Sequence, residues 1–204
     1  MVLKKITETI QGIAVNSIPE GRKARLQILI EYIQDKVTMR ELINLNFICT
    51  HNSRRSHLAQ IWAQTMACYF NIDQLFCFSG GTEATALYPS IKDTLERQGF
   101  EFEISSAGKN PHHHLLFSDD APAIVAFSKK YDAPFNPSSN FAAIITCSHA
   151  DENCPMIVGA EKRILMSYED PKKYDNSSQE IEGYAACSIQ IACEMYHVFS
   201  AINK

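Results

Sequence analysis

NLNFICTHNSRRSHLAQIWAQTMACYF, residues 44–70, changes character twice. Leu45–Cys49 reads as a short buried strand, and a helical pattern runs from about 56 to 71. Between them lies CTHNSRRS, residues 49–56. A segment that leaves a strand and turns into a helix points backbone N–H groups inward, and the helix start adds about half a positive charge. That is a cradle for an anion. Arg55 adds a planar, permanently charged fork that suits a tetrahedral oxyanion. A cysteine at the base of such a cradle sits in positive surroundings that favour the thiolate, the nucleophilic form. Cys49 is therefore the candidate nucleophile, poised for in-line attack on the central atom of a bound oxyanion. Thr50, His51, Asn52, Ser53, Arg54, Arg55 and Ser56 are the candidate substrate-binding residues. Ser56 is placed to hydrogen-bond the sulfur. Asn52 tolerates left-handed backbone and can brace the loop through side-chain-to-backbone bonds.

Three more apolar runs read as buried strands: Leu75–Ser79, Phe141–Cys147 and Ile164–Ser167. Further helical patterns cover about 84–98 and 178–202. This alternation predicts an α/β protein: a three-layer, open, parallel four-stranded sheet with helices on both faces. Ligands in such sheets sit beyond the carboxyl ends of the strands, so Cys49 and Cys147 would line one crevice. Residues 1–42 read as an N-terminal helical extension packed on the core, with helices at about 3–14 and up to 37. Ser17, Ile18, Pro19 and Glu20 form a capping-box pattern before the second. The main domain spans 43–204. Within it, 105–138 is rich in turn formers, and LLF and AIVAF suggest a hairpin added to the sheet edge or over the site. His112, His113 and His114 read as solvated loop histidines, because consecutive residues point different ways.

With 204 residues and 46% hydrophobic composition, the chain can bury one full core. A net charge of −4 and no basic tract argue against nucleic-acid binding. No apolar run approaches the roughly 18 residues of a membrane span. The first residues lack the pattern of a secretory signal. A cytoplasmic protein is expected, with its seven cysteines mostly reduced. Cys68, Cys77, Cys187 and Cys193 read as packing residues inside helices or a strand. Cys147, His149 and Cys154 lack common zinc-ligand spacing, and no metal or cofactor is expected.

CTHNSRRS resembles the phosphate-binding loop of low-molecular-weight protein tyrosine phosphatases and of the thioredoxin-coupled arsenate reductases built on the same fold. FSGGTEATALYPSIKDTLERQGFE, residues 78–101, is similar to that family's second strand and following helix. FAAIITCSHADENCP, residues 141–155, is similar to the reductases' redox segment, and YEDPKK, residues 168–173, to the family's Asp-Pro loop. The resemblance leaves out the first forty residues and roughly 105–138. It implies a small oxyanion, arsenate or phosphate, or a phosphomonoester as substrate, and a thioredoxin-like reductant as partner. It also implies a relay: Cys49 attacks arsenate, Cys147 attacks Cys49, and Cys154 takes over the disulfide. Seven residues of helix would hold Cys147 and Cys154 ~10.5 Å apart, whereas a disulfide needs Cα atoms within about 7 Å. Their pairing therefore requires the segment to loop out.

Asp170, before Pro171, matches the family's general acid, with Glu169 and Asp175 as nearby alternatives. Two residues depart from the pattern. His51 stands where the family usually has glycine, and Gln60 where some reductases have an acidic potassium ligand, so no potassium is expected. Lys172 and Lys173 after Asp170, with Tyr174 only later, favour a small inorganic anion over an aromatic phosphate. Arsenate reductase is the leading expectation. A phosphatase with regulatory cysteines and a non-enzymatic oxyanion or redox sensor are the alternatives.

Overall fold

The computed structural model describes residues 1–13, 18–148, 150 and 156–204. The main sheet has four strands in the order β2-β1-β6-β7: β1 Ile43–Cys49, β2 Leu75–Gly81, β6 Phe141–Ile145 and β7 Ala160–Leu165. Every pairing in it is parallel. All seven residues of β1 are buried, as expected of a strand covered on both faces. From β1 the chain steps to β2 on one side and later to β6 on the other. The order therefore reverses between β1 and β6, and the crevice at that switch point opens above Cys49.

Five α-helices occur among the described residues: α1 Lys4–Gln11, α2 Glu20–Met39, α3 Arg55–Tyr69, α4 Pro89–Arg97 and α5 Glu180–Ser200. The expected α/β architecture is therefore present. The extension is part of the same core, because Ile6 and Ile10 of α1 and Leu26, Leu29 and Ile33 of α2 are fully buried in one cluster with β1, α3 and α5. α2 starts directly after Pro19, with no side-chain cap; Ser17 of the expected capping box lies outside the described residues.

Four expectations need correction. The helix read over 84–98 begins only at Pro89. The proline ring pushes the preceding residue out of the helical region, and Tyr88 is extended at ψ 134°. The strand read as Phe141–Cys147 stops at Ile145, so Cys147 follows the sheet rather than ending it. LLF and AIVAF do pair as a hairpin, β4 His113–Leu116 with β5 Ile124–Ala126. With β3 Glu101–Ile104, however, they form a separate antiparallel sheet in the order β3-β4-β5. Leu115, Ile124 and Ala126 turn from it into the core. The histidine triple is consequently not a solvated loop: His113 and His114 lie on β4. His113 is buried, its ring edge-on to Phe102 at 6.1 Å, and His112 stacks on Phe127 at 4.0 Å.

Two contacts lock the loop after β1. Gly81 faces Cys49 across the β1–β2 pairing. A Cβ there would lie 2.3 Å from the Glu83 carbonyl oxygen and 2.7 Å from both the Asn52 nitrogen and the Thr50 oxygen. His57, fully buried in the first turn of α3, donates from Nε2 to the Asn52 carbonyl at 2.9 Å. Its Nδ1 then accepts from Ser79 Oγ of β2 at 3.3 Å. Burial, with the Lys129 charge nearby, pushes this imidazole down to about 3, so it is neutral.

Gly81→Ala should cost about 2 kcal/mol or more in urea unfolding, because all three colliding atoms are backbone; a change below about 0.5 kcal/mol would contradict the close approach. His57 should also make stability depend on pH. The unfolded imidazole takes a proton near 6.5 and the folded one only near 3. Its contribution is complete above about 6.5 and is lost as pH falls from there, by up to about 1.4 kcal/mol per unit. Urea midpoints between pH 7 and pH 4.5 should fall more steeply for the wild type than for His57→Gln; parallel curves would remove His57 from that dependence.

Candidate active site

The backbone carbonyls of residues 49–53 are all held from outside the loop. Thr82 N–H donates to the Cys49 carbonyl at 3.1 Å, and Glu83 N–H to that of Thr50 at 2.8 Å. Ser128 Oγ and Thr85 Oγ1 donate to the His51 carbonyl at 2.9 and 3.1 Å. His57 holds the Asn52 carbonyl, and Tyr88 N–H donates to that of Ser53 at 3.1 Å. In a trans peptide the N–H points opposite to the carbonyl. Pulling these carbonyls outward therefore turns the following N–H groups inward, toward the cleft lined by Cys49, His51, Ser53, Arg54, Arg55 and Asp170. α3 starts at this cleft without a side-chain cap, which adds the positive end of a fifteen-residue helix.

Cys49 is 4% exposed, and its Sγ lies 3.1 Å from Ser56 Oγ. Asn52 Nδ2 donates to that same hydroxyl oxygen at 2.9 Å. The Ser56 proton is thereby left to face the sulfur. Asn52 takes the left-handed conformation at φ 44°, while its Oδ1 accepts from Lys129 N–H at 2.9 Å. His51 lies outside the left-handed region, so its side chain meets no backbone penalty there. Its imidazole sits half exposed at the rim, 3.6 Å from Glu83.

The two adjacent arginines diverge. Arg54 donates from Nε to Tyr184 Oη at 2.6 Å and from its terminal nitrogen to Asp175, and its guanidinium lies 4.0 Å above the Tyr88 ring. Arg55 donates to the Tyr168 carbonyl at 3.0 Å and to Asp170 Oδ2 at 2.6 Å. Asp170 caps the short 3-10 helix Pro171–Tyr174 by accepting from Lys172 N–H at 3.0 Å. Of the three carboxylates considered, Asp170 alone lines the cleft. Asp175 is engaged by Arg54 and Tyr184, and Glu169 pairs with Lys173 in solvent.

Cys147 is 1% exposed and shares a small buried cluster with Cys49, Ile48 and Ile145. Its Sγ lies 3.4 Å from Thr50 Oγ1 and accepts from Ala150 N–H at 3.3 Å. Cys154 and His149 lie outside the described residues. Cys77 and Cys193 are buried in the core. Burial pushes the Cys187 thiol up to about 12, so it stays protonated beside the Glu169 carbonyl. Among the described residues no cluster of three metal-ligating side chains forms. The sequence reading missed His57, Gly81, Ser128 and Lys129. Each supports the loop from a distant segment or the far side of a helix turn. Only the adjacent SGG of β2 carried a local sign of close backbone approach.

No protein-family model matches the chain. Among curated proteins, arsenate reductase 2 of Staphylococcus epidermidis is 25% identical over 125 residues, 61% of this chain and 76% of that protein. Among solved structures, a low-molecular-weight phosphotyrosine phosphatase from Vibrio cholerae O395 superposes with a TM-score of 0.52 at 14% identity, covering 78% of this chain and 94% of its own. An arsenate reductase in its phosphate-binding state superposes at 0.50 with 16% identity, covering 79% and 100%. In fold the chain matches the low-molecular-weight phosphatases and the arsenate reductases built like them, and in sequence it is similar to the arsenate reductases.

Proposed function

We propose that the chain is an arsenate reductase working through three cysteines. The observation that carries this reading is Cys49 at the base of an inward-facing amide loop, with Arg55 and Asp170 on the same cleft and Cys147 one side chain away through Thr50. Arsenate would sit among the loop amides and take Arg55. The Cys49 thiolate attacks arsenic, an As–S bond forms, and one oxygen leaves as water with a proton from Asp170. The Cys147 thiolate then attacks the Cys49 sulfur. The As–S bond breaks with its electron pair going to arsenic, which leaves as arsenite, and a Cys49–Cys147 disulfide remains. Attack by Cys154 on Cys147 frees Cys49 and carries the disulfide outward. A dithiol protein of the thioredoxin class supplies the two electrons that reset the cycle.

A second reading is favoured by Asp170 lying on the cleft beside Cys49. The same loop would take a phosphomonoester, form a cysteinyl phosphate, and use Asp170 to protonate the leaving alcohol. The additional cysteines would then protect or regulate Cys49 through a reversible disulfide.

One pair of assays separates the two. Arsenate is supplied with thioredoxin, its reductase and NADPH, and NADPH loss is followed; an aryl phosphate is supplied separately. Cys49→Ser should abolish both activities, and Arg55→Lys, which keeps the charge but loses the planar fork, should lower kcat/KM at least about a hundredfold, the usual cost of losing a well-oriented oxyanion donor. Cys154→Ser should stop multiple turnover of arsenate and leave any aryl phosphate hydrolysis intact. Unchanged arsenate turnover in Cys154→Ser would overturn the relay.

A further inference from the structure

β7 ends at Leu165, and the five residues between it and Pro171 carry the site's carboxylate without belonging to a helix or strand. Backbone bonds tie Met166 N–H to Ile145 and Tyr168 N–H to Thr146. The carbonyls of this segment are held by two arginines from opposite sides. Arg55 takes that of Tyr168, as described. Arg22, in the first turn of α2, takes the neighbouring one, donating to the Ser167 carbonyl at 3.2 Å. Its guanidinium carbon lies 4.8 Å from the centre of the Tyr168 ring. The fork itself is fixed by Glu194 of α5, with Nε to Oε1 at 2.8 Å and the second terminal nitrogen to Oε2 at 2.7 Å. Both partners are withdrawn from water, at 13% and 3% side-chain exposure.

Such a pair is weak evidence for stability, because desolvation of the two charges offsets their attraction. It is a strong geometric constraint: a bidentate fork fixes the guanidinium plane, which fixes the Ser167 carbonyl and the Tyr168 ring together. One residue on, the Tyr168 carbonyl sets where Arg55 lies, and two residues on, Asp170 meets the same guanidinium. Arg22 stands in the part of the chain that the family resemblance leaves out, at a place where nothing in the relay requires a charge.

We propose that Arg22 is a positioning residue for the oxyanion site, through which the N-terminal helix α2 holds the Ser167–Asp170 segment in register with Arg55. This rests on the oxyanion reading of the loop. Arg22 touches no reacting atom; it acts on anion affinity and on proton delivery by way of Tyr168 and Asp170.

The test uses the full chain and inorganic phosphate as the probe, with titration calorimetry and thermal melts on the same samples. Removing Arg22 alone would strand Glu194 in the interior, so the pair is neutralised together in Arg22→Met/Glu194→Gln. Arg22→Lys keeps the ion pair and loses the fork. Phosphate dissociation constants should rise about tenfold in the double variant, the scale of one charge-assisted hydrogen bond, and by less in Arg22→Lys. Turnover on whichever substrate the wild type accepts should fall as well, with the cooperative melt retained. A purely structural role would lower the melting temperature and leave the affinity of the folded protein unchanged. Wild-type affinity in a folded double variant overturns the proposal. Should the double variant fail to melt cooperatively, Arg22→Lys decides: wild-type affinity overturns the proposal and weakened affinity supports it. The wild-type arm separates the two levels, because a wild-type chain that binds no phosphate overturns the oxyanion reading and this proposal with it, whereas equal binding by wild type and variants removes the role of Arg22 alone.

Discussion

The site depends on where five consecutive carbonyls point. A strand that runs into a helix could close its turn in many ways, and most would leave carbonyl oxygens facing the cleft. Here each carbonyl from Cys49 to Ser53 has an external donor: main-chain amides of 82, 83 and 88, hydroxyls of Ser128 and Thr85, and the ring of His57. Because peptide units are rigid, that one condition fixes the direction of the amides as well. The rest of the neighbourhood can be understood as supplying those donors. Gly81 lets the segment carrying Thr82 and Glu83 come within reach. The neutrality of His57 leaves Nδ1 free to accept from Ser79 while Nε2 donates. Tyr88, held extended by Pro89, carries its amide to the Ser53 carbonyl.

This explains how the second sheet contributes without forming part of the cleft wall in the expected way. It does not extend the parallel sheet. The chain leaving β5 instead runs behind the loop, where Ser128 holds the His51 carbonyl and Lys129 N–H holds Asn52 Oδ1. Gly81 N–H donates in turn to the Lys129 carbonyl at 2.9 Å. The Lys129 side chain is buried over the rings of Phe127 and Phe135, at 4.6 and 5.2 Å, and burial pulls its amine down to about 8. Asn52 is consequently gripped on three sides: Nδ2 by the Ser56 hydroxyl, Oδ1 by residue 129, and its carbonyl by His57.

What the sequence disclosed divides along the same line. The β1–α3 junction was legible because its signals are local: an apolar run, polar turn formers, then a 3.6-residue period. The four parallel strands were legible as apolar runs, to within a few residues at their ends. The start of α4 was misplaced because a helical pattern of side chains does not reveal that Pro89 excludes helix at Tyr88. The fate of 105–138 was half legible. Pairing of LLF with AIVAF follows from strand propensity, but the choice between joining a sheet and founding one depends on β3, which precedes it and which the sequence reading leaves without an assignment. His57, Ser128 and Arg22 act through contacts with segments distant in sequence, and no local pattern marks them.

The two arginines of CTHNSRRS show why spacing alone could not assign their duties. Both are expected at the loop, and both are mostly shielded, at 13% side-chain exposure. Arg54 has a complete set of partners in Asp175, Tyr184 and the face of Tyr88, which neutralise its charge and fix it to α5. Arg55 is held more lightly, by one carbonyl and by a carboxylate that is 37% exposed. An oxyanion arriving among the loop amides can compete for Arg55 with Asp170, and exchanging one anionic partner for another leaves the guanidinium in place. It could not take Arg54 without leaving Asp175 unpaired, at 15% side-chain exposure. On the proposed oxyanion reading, the difference between a binding arginine and a structural one lies in the cost of releasing its present partner, which is set by α5 and the segment after β7 and not by the loop.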